Sequence, residues 1–278
     1  MAGFLAGLRA LPWGWFALLA VAVNVVQLMI AHLVTVVARS LPWSVVVPDP
    51  AGVVPAVPDV EAERRAQRRL AVSTVIGNSV VLLLGWWLWR RDVIGVDAGF
   101  GPAAVVDFVL LTLGMDVALY LGHVIAHLGR LFPLAHRLHH RFAYVGPLTL
   151  FAVHPLEVAG LGGVWLTVLA LHRFAASAIV AFGVANLVFG ALGHAGVDPL
   201  PASWRRSTVF RWIATPALHV GHHWFPERNF GFYTTLWDRL FGTLVAGYDE
   251  GRGAGAPAAA GAAPGAAAGP VAGPAERS

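Results

Sequence analysis

Long apolar runs alternate with short polar segments along most of this chain. The first run covers about residues 13–38, which exceeds the roughly 20 apolar residues that a helix needs to cross a bilayer. Two further runs cover about 70–89 and 103–122, and apolar residues return over 156–192 with a break near 172–173. This last stretch fits either two tilted spans or one re-entrant hairpin. The pattern therefore predicts an all-α, integral membrane helical bundle with about four to five spans.

The composition agrees with a membrane protein. Of the 278 residues, 57% are hydrophobic and only 12% are charged, whereas average soluble domains carry about 25% charged residues. All 19 basic residues are arginines, and they lie mainly in clusters beside apolar runs. Membrane proteins place arginines in this way to set their topology. The net charge of +4 is therefore no sign of a nucleic-acid partner, and we expect none. Cysteine is absent, which excludes disulfides, cysteine nucleophiles and thiolate metal sites.

The arginine clusters also predict which end of the bundle faces the cytoplasm. They lie between the first two runs, after the third run and after the last apolar stretch. The positive-inside rule places these three loops in the cytoplasm, although Arg90 and Arg91 then lie on the far side. Both histidine-rich segments, which follow the third and the last apolar stretches, fall at this same end. They predict a cytoplasmic helical cap on a multi-pass membrane protein.

Three histidine clusters carry the candidate chemistry. In the first, His123 and His127 are four residues apart and share a helix face with Asp116 and Tyr120. The second and third clusters repeat the spacing His-x-x-His-His, and two such matches are very improbable by chance. Their members are His136, His139 and His140, and His219, His222 and His223.

Imidazole is a good ligand for zinc, copper, iron and nickel. Together with the lone His194, these clusters supply too many ligands for one four-coordinate ion and about enough for two metals. A ligating imidazole usually donates its second N–H to a carboxylate or a carbonyl. Asp116, Glu157 and Asp238 are the candidate carboxylates for this role.

The order of these motifs resembles the fatty acid hydroxylase/sterol desaturase superfamily. His-Pro-x-Glu at residues 154–157 and the lone His194 lie between the clusters. The segment 229–243 then closes the motif with Asn-Phe-Gly, followed by Trp-Asp-x-x-Phe-Gly-Thr. The resemblance covers about residues 103–245, and Gly190 stands where some members have a further histidine.

This coverage predicts three regions. Residues 1–102 form the N-terminal membrane spans and a Pro-rich linker, and residues 103–245 form the histidine-box catalytic domain. Residues 246–278 form a tail rich in alanine, glycine and proline, whose composition is typical of disorder.

The resemblance implies an oxidoreductase with a non-haem di-iron centre. Such an enzyme uses O₂ and two electrons to hydroxylate, or desaturate, a lipid such as a sterol or a fatty acyl chain. Two iron ions, for which zinc is a substitute, would be held by nine histidines. These are His123, His127, His136, His139, His140, His194, His219, His222 and His223.

Further polar residues are candidates for roles around the metals. Asp116, Tyr120 and Asp238 are the candidate catalytic residues. Residues that could support the ligands, or add one, are His154, Glu157, Asn229 and Trp237. For the aromatic residues and the Trp-Asp pair, a packing or capping role is the alternative.

The partners follow from what the chain lacks. It has neither cysteine nor a Gly-x-Gly-x-x-Gly motif, so we expect electrons to come from a separate protein such as a cytochrome or a ferredoxin.

Two alternative functions stay open. One is a zinc-dependent membrane hydrolase that uses a metal-bound hydroxide, and the other is a non-catalytic membrane protein that binds haem or metal.

Overall fold

The computed structural model describes residues 1–47, 59–142, 145–205 and 207–249. Its α-helices are α1 (Ala2–Ala10), α2 (Trp13–Ser40), α3 (Val60–Arg90), α4 (Pro102–Ala126), α5 (Arg137–His140), α6 (Pro155–Leu171), α7 (Ala176–Gly193), α8 (Ala202–Arg205), α9 (Pro216–Trp224) and α10 (Leu236–Leu240). A π-helical turn, Phe132–His136, leads directly into α5. The second part of the Pro-rich linker, 48–58, and the predicted tail from residue 250 onward lie outside the described residues.

Four of these helices, α2, α3, α4 and α7, are long and apolar enough to cross a membrane, and α6 is a shorter apolar helix. The mostly helical, multi-pass architecture predicted from hydropathy is therefore confirmed. Helix α3 begins ten residues before the predicted run, at Val60. Its first turns are polar, and the Asp59 carboxylate caps them by accepting a 2.8 Å hydrogen bond from the amide of Ala62. Hydropathy marks the apolar part of this helix and not its beginning.

Two short strand pairs fix the two ends of the bundle. At one end β2 (Val96–Asp97), which follows α3, pairs with β3 (Phe174–Ala175), which lies between α6 and α7. At the other end β1 (Val45–Val46), after α2, pairs with β4 (Val197–Asp198), after α7. The α6–α7 hairpin therefore reaches the end of the bundle opposite to the β1–β4 pair, which favours two spans over a re-entrant hairpin.

The spans pack through small and apolar side chains. The largest buried cluster joins Leu111 and Met115 of α4 to Leu166 of α6 and Phe182 of α7. Helices α3 and α6 approach so closely that a side chain at Gly162 would overlap Val81. This packing brings the end of α4 and the end of α7 to the same side of the bundle, where the histidine segments begin.

Candidate metal centre

Four segments bring the predicted histidines together at the end of the bundle with the β1–β4 pair. Helix α4 ends at Ala126, so His123 lies in its last turn and His127 follows directly. His194 follows the end of α7 in the same way. The π-helical turn and α5 carry the second histidine cluster, and α9 carries the third. Each histidine therefore lies at a helix end or on a short helix outside the apolar part of the bundle.

The nine histidines form two groups, and within each group the candidate ligand atoms lie within 4.8 Å of one another. Group one contains His123, His127, His136, His140 and His222. Group two contains His139, His194, His219 and His223. The nine histidines that the sequence nominated as ligands all belong to one of the two groups, whereas His154, the possible extra ligand, belongs to neither.

Neighbouring histidines in the chain belong to different groups. His139 and His140 are adjacent on α5, yet one belongs to group two and the other to group one. His222 and His223 on α9 are divided in the same way. Successive residues of a helix point about 100° apart, so each of these short helices lies between the groups and supplies both of them.

The remaining histidines lie elsewhere. The Nδ1 atom of His154 accepts a 3.2 Å hydrogen bond from the amide of Leu156, so this side chain caps the start of α6. His172 lies between α6 and α7, at the end of the bundle opposite to the two groups, and it pairs with Asp107 at 2.9 Å. His32 is exposed on α2.

The arrangement of nitrogens fits metal ions. In group two the Nε2 atom of His194 lies 3.3 Å from Nε2 of His139 and 3.0 Å from Nε2 of His219. In group one the Nε2 atoms of His127 and His222 are buried without a hydrogen-bond partner. Buried polar atoms normally have partners, and a cation at the centre of each group would satisfy these nitrogens together.

Burial also keeps these imidazoles in the form that binds metals. It lowers the pKa of His136 and His194 from the ordinary 6.5 to about 4. It also lowers the pKa of His139, His219 and His223 well below the ordinary value, with a contribution from repulsion between neighbouring histidines. The rings are therefore neutral near pH 7, and neutral imidazole is the ligand form.

The second ring nitrogen of several histidines is held by an acceptor. The Nδ1 atom of His136 donates to the carboxylate of Glu157 at 2.8 Å. Backbone carbonyls accept from the other rings: Phe230 from His123 at 3.0 Å, Arg228 from His222 at 2.6 Å and Gly190 from His194 at 2.8 Å. Each of these bonds fixes a tautomer in which Nε2 carries the lone pair toward its group.

The two aspartates have a different role from Glu157. Asp116 accepts hydrogen bonds from the amides of Tyr233 and Thr234, from the Thr234 hydroxyl and from the Trp237 indole. Asp238 is fully buried and accepts from the amides of Phe230 and Gly231 and from the Thr243 hydroxyl. These partners occupy both carboxylates, so the aspartates brace the 229–243 loop and do not orient an imidazole.

Three other nominated residues belong to the same bracing network. Tyr120 shares a 3.0 Å hydrogen bond with Thr243, and its ring stacks on Phe241. Asn229, fully buried, accepts from the amide of Val245 and adopts a positive φ of 60°. Trp237 donates to Asp116, as described above. The network fixes the loop whose Phe230 carbonyl orients His123.

The ordered chain continues beyond this loop, into the first residues of the predicted tail. Tyr248 is buried, and its hydroxyl donates to the carbonyl of Ile213 at 3.0 Å and contacts Thr215. This contact ties residues 246–249 to the segment that leads into α9.

An apolar cavity of about 200 Å³ adjoins group two. His194 and His219 form part of its wall, and the rest is largely apolar. Other lining residues include Phe189, Gly190, Leu192, Phe210 and Phe232. The α-carbon of Gly190 carries no side chain, and a Cβ there would lie 3.0 Å from Leu150 Cδ1. The apolar lining of the cavity suits a segment of an apolar chain placed beside the group.

Comparison with known proteins matches the same part of the chain. Residues 108–243 match a family model described as fatty acid hydroxylase. The very-long-chain aldehyde decarbonylase GL1-1 of Oryza sativa subsp. indica is 32% identical over 133 residues, which cover 46% of this chain and 22% of that protein. A Delta(7)-sterol 5(6)-desaturase of Candida glabrata is 26% identical over 142 residues, which cover 50% of this chain and 36% of that protein.

A cholesterol 25-hydroxylase-like protein of Danio rerio is 28% identical over 169 residues, which cover 57% of this chain and 63% of that protein. The chain thus spans less than two thirds of the length of each of these relatives. No solved structure matches the chain at a significant level.

Proposed function

Because residues 108–243 of this chain belong to the fatty acid hydroxylase/sterol desaturase superfamily, we propose that the protein is a membrane-bound, O₂-dependent oxidoreductase. It hydroxylates, or desaturates, a lipid at a di-iron centre held by the nine histidines. The observation that carries this proposal is the convergence of these side chains into two groups of five and four at the end of one helical bundle.

Group one and group two would each hold one iron. When bound, the two irons supply the redox chemistry that lets O₂ attack an unactivated C–H bond. The protein's part is to hold neutral imidazoles in fixed tautomers, which Glu157 and the carbonyls of Phe230, Arg228 and Gly190 do by accepting the Nδ1 protons. Burial of group two also limits the access of bulk water to the reacting carbon.

The apolar cavity beside group two is the proposed substrate site. Its wall contains His194 and His219, so a chain that fills the cavity has carbons next to the metal ligands. The relatives are named for work on sterols and on very-long-chain aldehydes, and such molecules are largely apolar. The cavity orients them by shape and exclusion of water, because its wall offers few polar partners.

Electrons come from a separate redox protein, a cytochrome or a ferredoxin. Hydroxylation of R–H consumes O₂, two electrons and two protons and yields R–OH and water, so each turnover needs two electrons. The active site faces the cytoplasm, as the arginine clusters indicate. Arg137 and Arg141 are exposed on the outer side of α5, whose histidines face inward. This basic face lies on the helix that supplies ligands to both groups, and it would dock an acidic electron donor.

The test combines elemental analysis, an absorption spectrum and turnover of lipid substrates with and without O₂. The wild-type protein should contain about two irons per chain and should form product only with O₂. His139→Ala should lose iron and turnover, whereas His172→Ala, at the opposite end of the bundle, should keep both.

Three results would contradict the proposal. Product formed without O₂ by a zinc-loaded protein would indicate a hydrolase, and a Soret band would indicate a haem protein. Full iron content in His139→Ala would show that the metal lies elsewhere.

A further inference from the structure

The C-terminal end of α2 contacts the chain segments that follow two ligands of group two. This helix lies outside the 108–243 segment that matches the family model. The loop after His194 returns along it, and Val197 and Asp198 pair with Val46 and Val45. A part of the chain that the family model does not cover therefore borders the candidate metal centre.

Arg39, in the last turn of α2, makes the central contact. Its Nε donates a 2.7 Å hydrogen bond to the carbonyl of Ala195, the residue after His194. Its Nη2 donates to the carbonyl of Val145 at 3.3 Å, in the segment that follows His139 and α5. One guanidinium thus joins the chain segments that follow two ligands of group two. The fixed fork of an arginine side chain is suited to holding two acceptors at once.

The surrounding residues are shaped for this contact. Gly196 has a positive φ of 68°, and a side chain there would lie 3.3 Å from Arg39 Nη2 and from the carbonyl oxygen of Val145. The amide of Val47 donates to the carbonyl of Gly196 at 3.3 Å. The indole of Trp43 donates to the carbonyl of Pro199 at 3.0 Å, and Pro199 lines the cavity. The end of α2 and the segment after it therefore hold residues 195–199 at several points.

We propose that Arg39 is a positioning residue for group two. Its hydrogen bonds to Ala195 and Val145 fix the distance between the His194 loop and the segment that follows His139. The Nε2 atoms of these two histidines lie 3.3 Å apart, so a small displacement of either loop separates two ligands of the same metal. The proposal rests on the proposed function only in requiring that group two binds a metal.

Group one should depend much less on this contact. The shorter of the two hydrogen bonds, 2.7 Å to Ala195, holds the loop after α7, where no group-one ligand lies. The longer bond, 3.3 Å to Val145, reaches the segment after α5, which carries ligands of both groups. Loss of Arg39 should therefore weaken one of two metal positions selectively. General destabilisation of the bundle would instead weaken both positions together.

The experiment uses the full-length protein, purified without metal and titrated with Co²⁺ followed by its visible absorption. Amide hydrogen exchange is measured on the same samples. The variants are Arg39→Gln and Arg39→Lys. The matched control is Arg9→Gln, because Arg9 also donates to a backbone carbonyl, that of Arg90, at the opposite end of the bundle.

The wild-type protein and Arg9→Gln should bind two Co²⁺ per chain. Arg39→Gln should bind the first as the wild type does and the second at least about tenfold more weakly, since loss of a partner that orients ligands typically costs 10–100-fold in metal affinity. Exchange should rise at residues 191–199 and stay unchanged at residues 123–127. The affinity of Arg39→Lys for the second Co²⁺ should lie between those of the wild type and Arg39→Gln, because lysine keeps the charge but lacks the forked guanidinium.

Wild-type affinity for both ions and unchanged exchange in Arg39→Gln would overturn the inference. Equal loss of both ions, with faster exchange along all spans, would also overturn it, because Arg39 would then stabilise the whole fold. If Arg39→Gln does not fold, the Co²⁺ affinities and the amide exchange of Arg39→Lys test the inference instead. If the wild type binds no Co²⁺, the proposed function fails, and the local exchange at 191–199 alone decides whether Arg39 holds the loop.

Discussion

Removal of the Glu157 side chain should weaken metal binding at group one and leave group two intact. Glu157 accepts the Nδ1 proton of His136 at 2.8 Å and is the one carboxylate among the orienting partners described above. Both side chains are nearly buried, with 5% of His136 and 10% of Glu157 exposed. In Glu157→Ala the ring loses the acceptor that fixes its tautomer, and water has little access to replace it.

The expected magnitude follows from this geometry. Losing an orienting partner typically lowers metal affinity about 10–100-fold, which corresponds to about 1.4–2.7 kcal/mol. Glu157→Gln keeps an oxygen that can accept the Nδ1 proton of His136. We therefore expect Glu157→Gln to retain more metal affinity than Glu157→Ala.

The assay is a titration of metal-free protein with Co²⁺, in which the two binding steps are resolved. Glu63→Ala is the matched control, because Glu63 lies on α3, belongs to neither histidine group and accepts a long, 3.4 Å hydrogen bond from Gln67. The reasoning is refuted if Glu157→Ala binds both ions with wild-type affinity. It is also refuted if the weakened step is the one that Arg39→Gln weakens, since the two residues serve different groups.

Three further predictions concern stability. Gly231→Ala should cost about 1–3 kcal/mol by overpacking, because its Cβ would overlap the Thr234 carbonyl and lie 2.6 Å from Asp238 Oδ2; a wild-type unfolding midpoint would contradict this. Asp116→Asn should cost a similar amount, about 1–3 kcal/mol, because the amide cannot accept from every donor that the carboxylate serves, and an unchanged midpoint in the same denaturation assay would refute the bracing role. The metal-free protein should lose stability as the pH falls from 6.5 toward about 4. Burial lowers the pKa of site histidines such as His136 to about 4, so the unfolded chain takes up protons at a higher pH than the folded chain does. A melting temperature at pH 5 equal to or above that at pH 7 would contradict this prediction.

The sequence was sufficient to nominate the nine histidines that the structure brings together, for a physical reason. Imidazoles spaced by three and four residues share a helix face. The spacing of His136, His139 and His140 therefore predicts a cluster from the sequence alone. Hydropathy located the spans equally well, because about 20 apolar residues cross a bilayer wherever they occur. Both signals are local in the chain.

The features that the sequence did not predict depend on contacts between distant segments. Adjacent histidines give no sign that they serve different groups. The acceptors for His123, His194 and His222 are backbone carbonyls, which every residue carries and no motif marks. Arg39 resembles any arginine at the end of a membrane span, and only the fold reveals that it reaches the loop after His194.

The division of adjacent histidines between the two groups limits how these helices can change in evolution. Substitutions can alter α5 and α9 one residue at a time. An insertion or deletion just before His139 or His222 would turn the following pair by about 100° and misalign ligands of both groups at once. We therefore expect the lengths of these two segments to vary less among related proteins than their residues do, and the two metal positions to be lost together when either length changes.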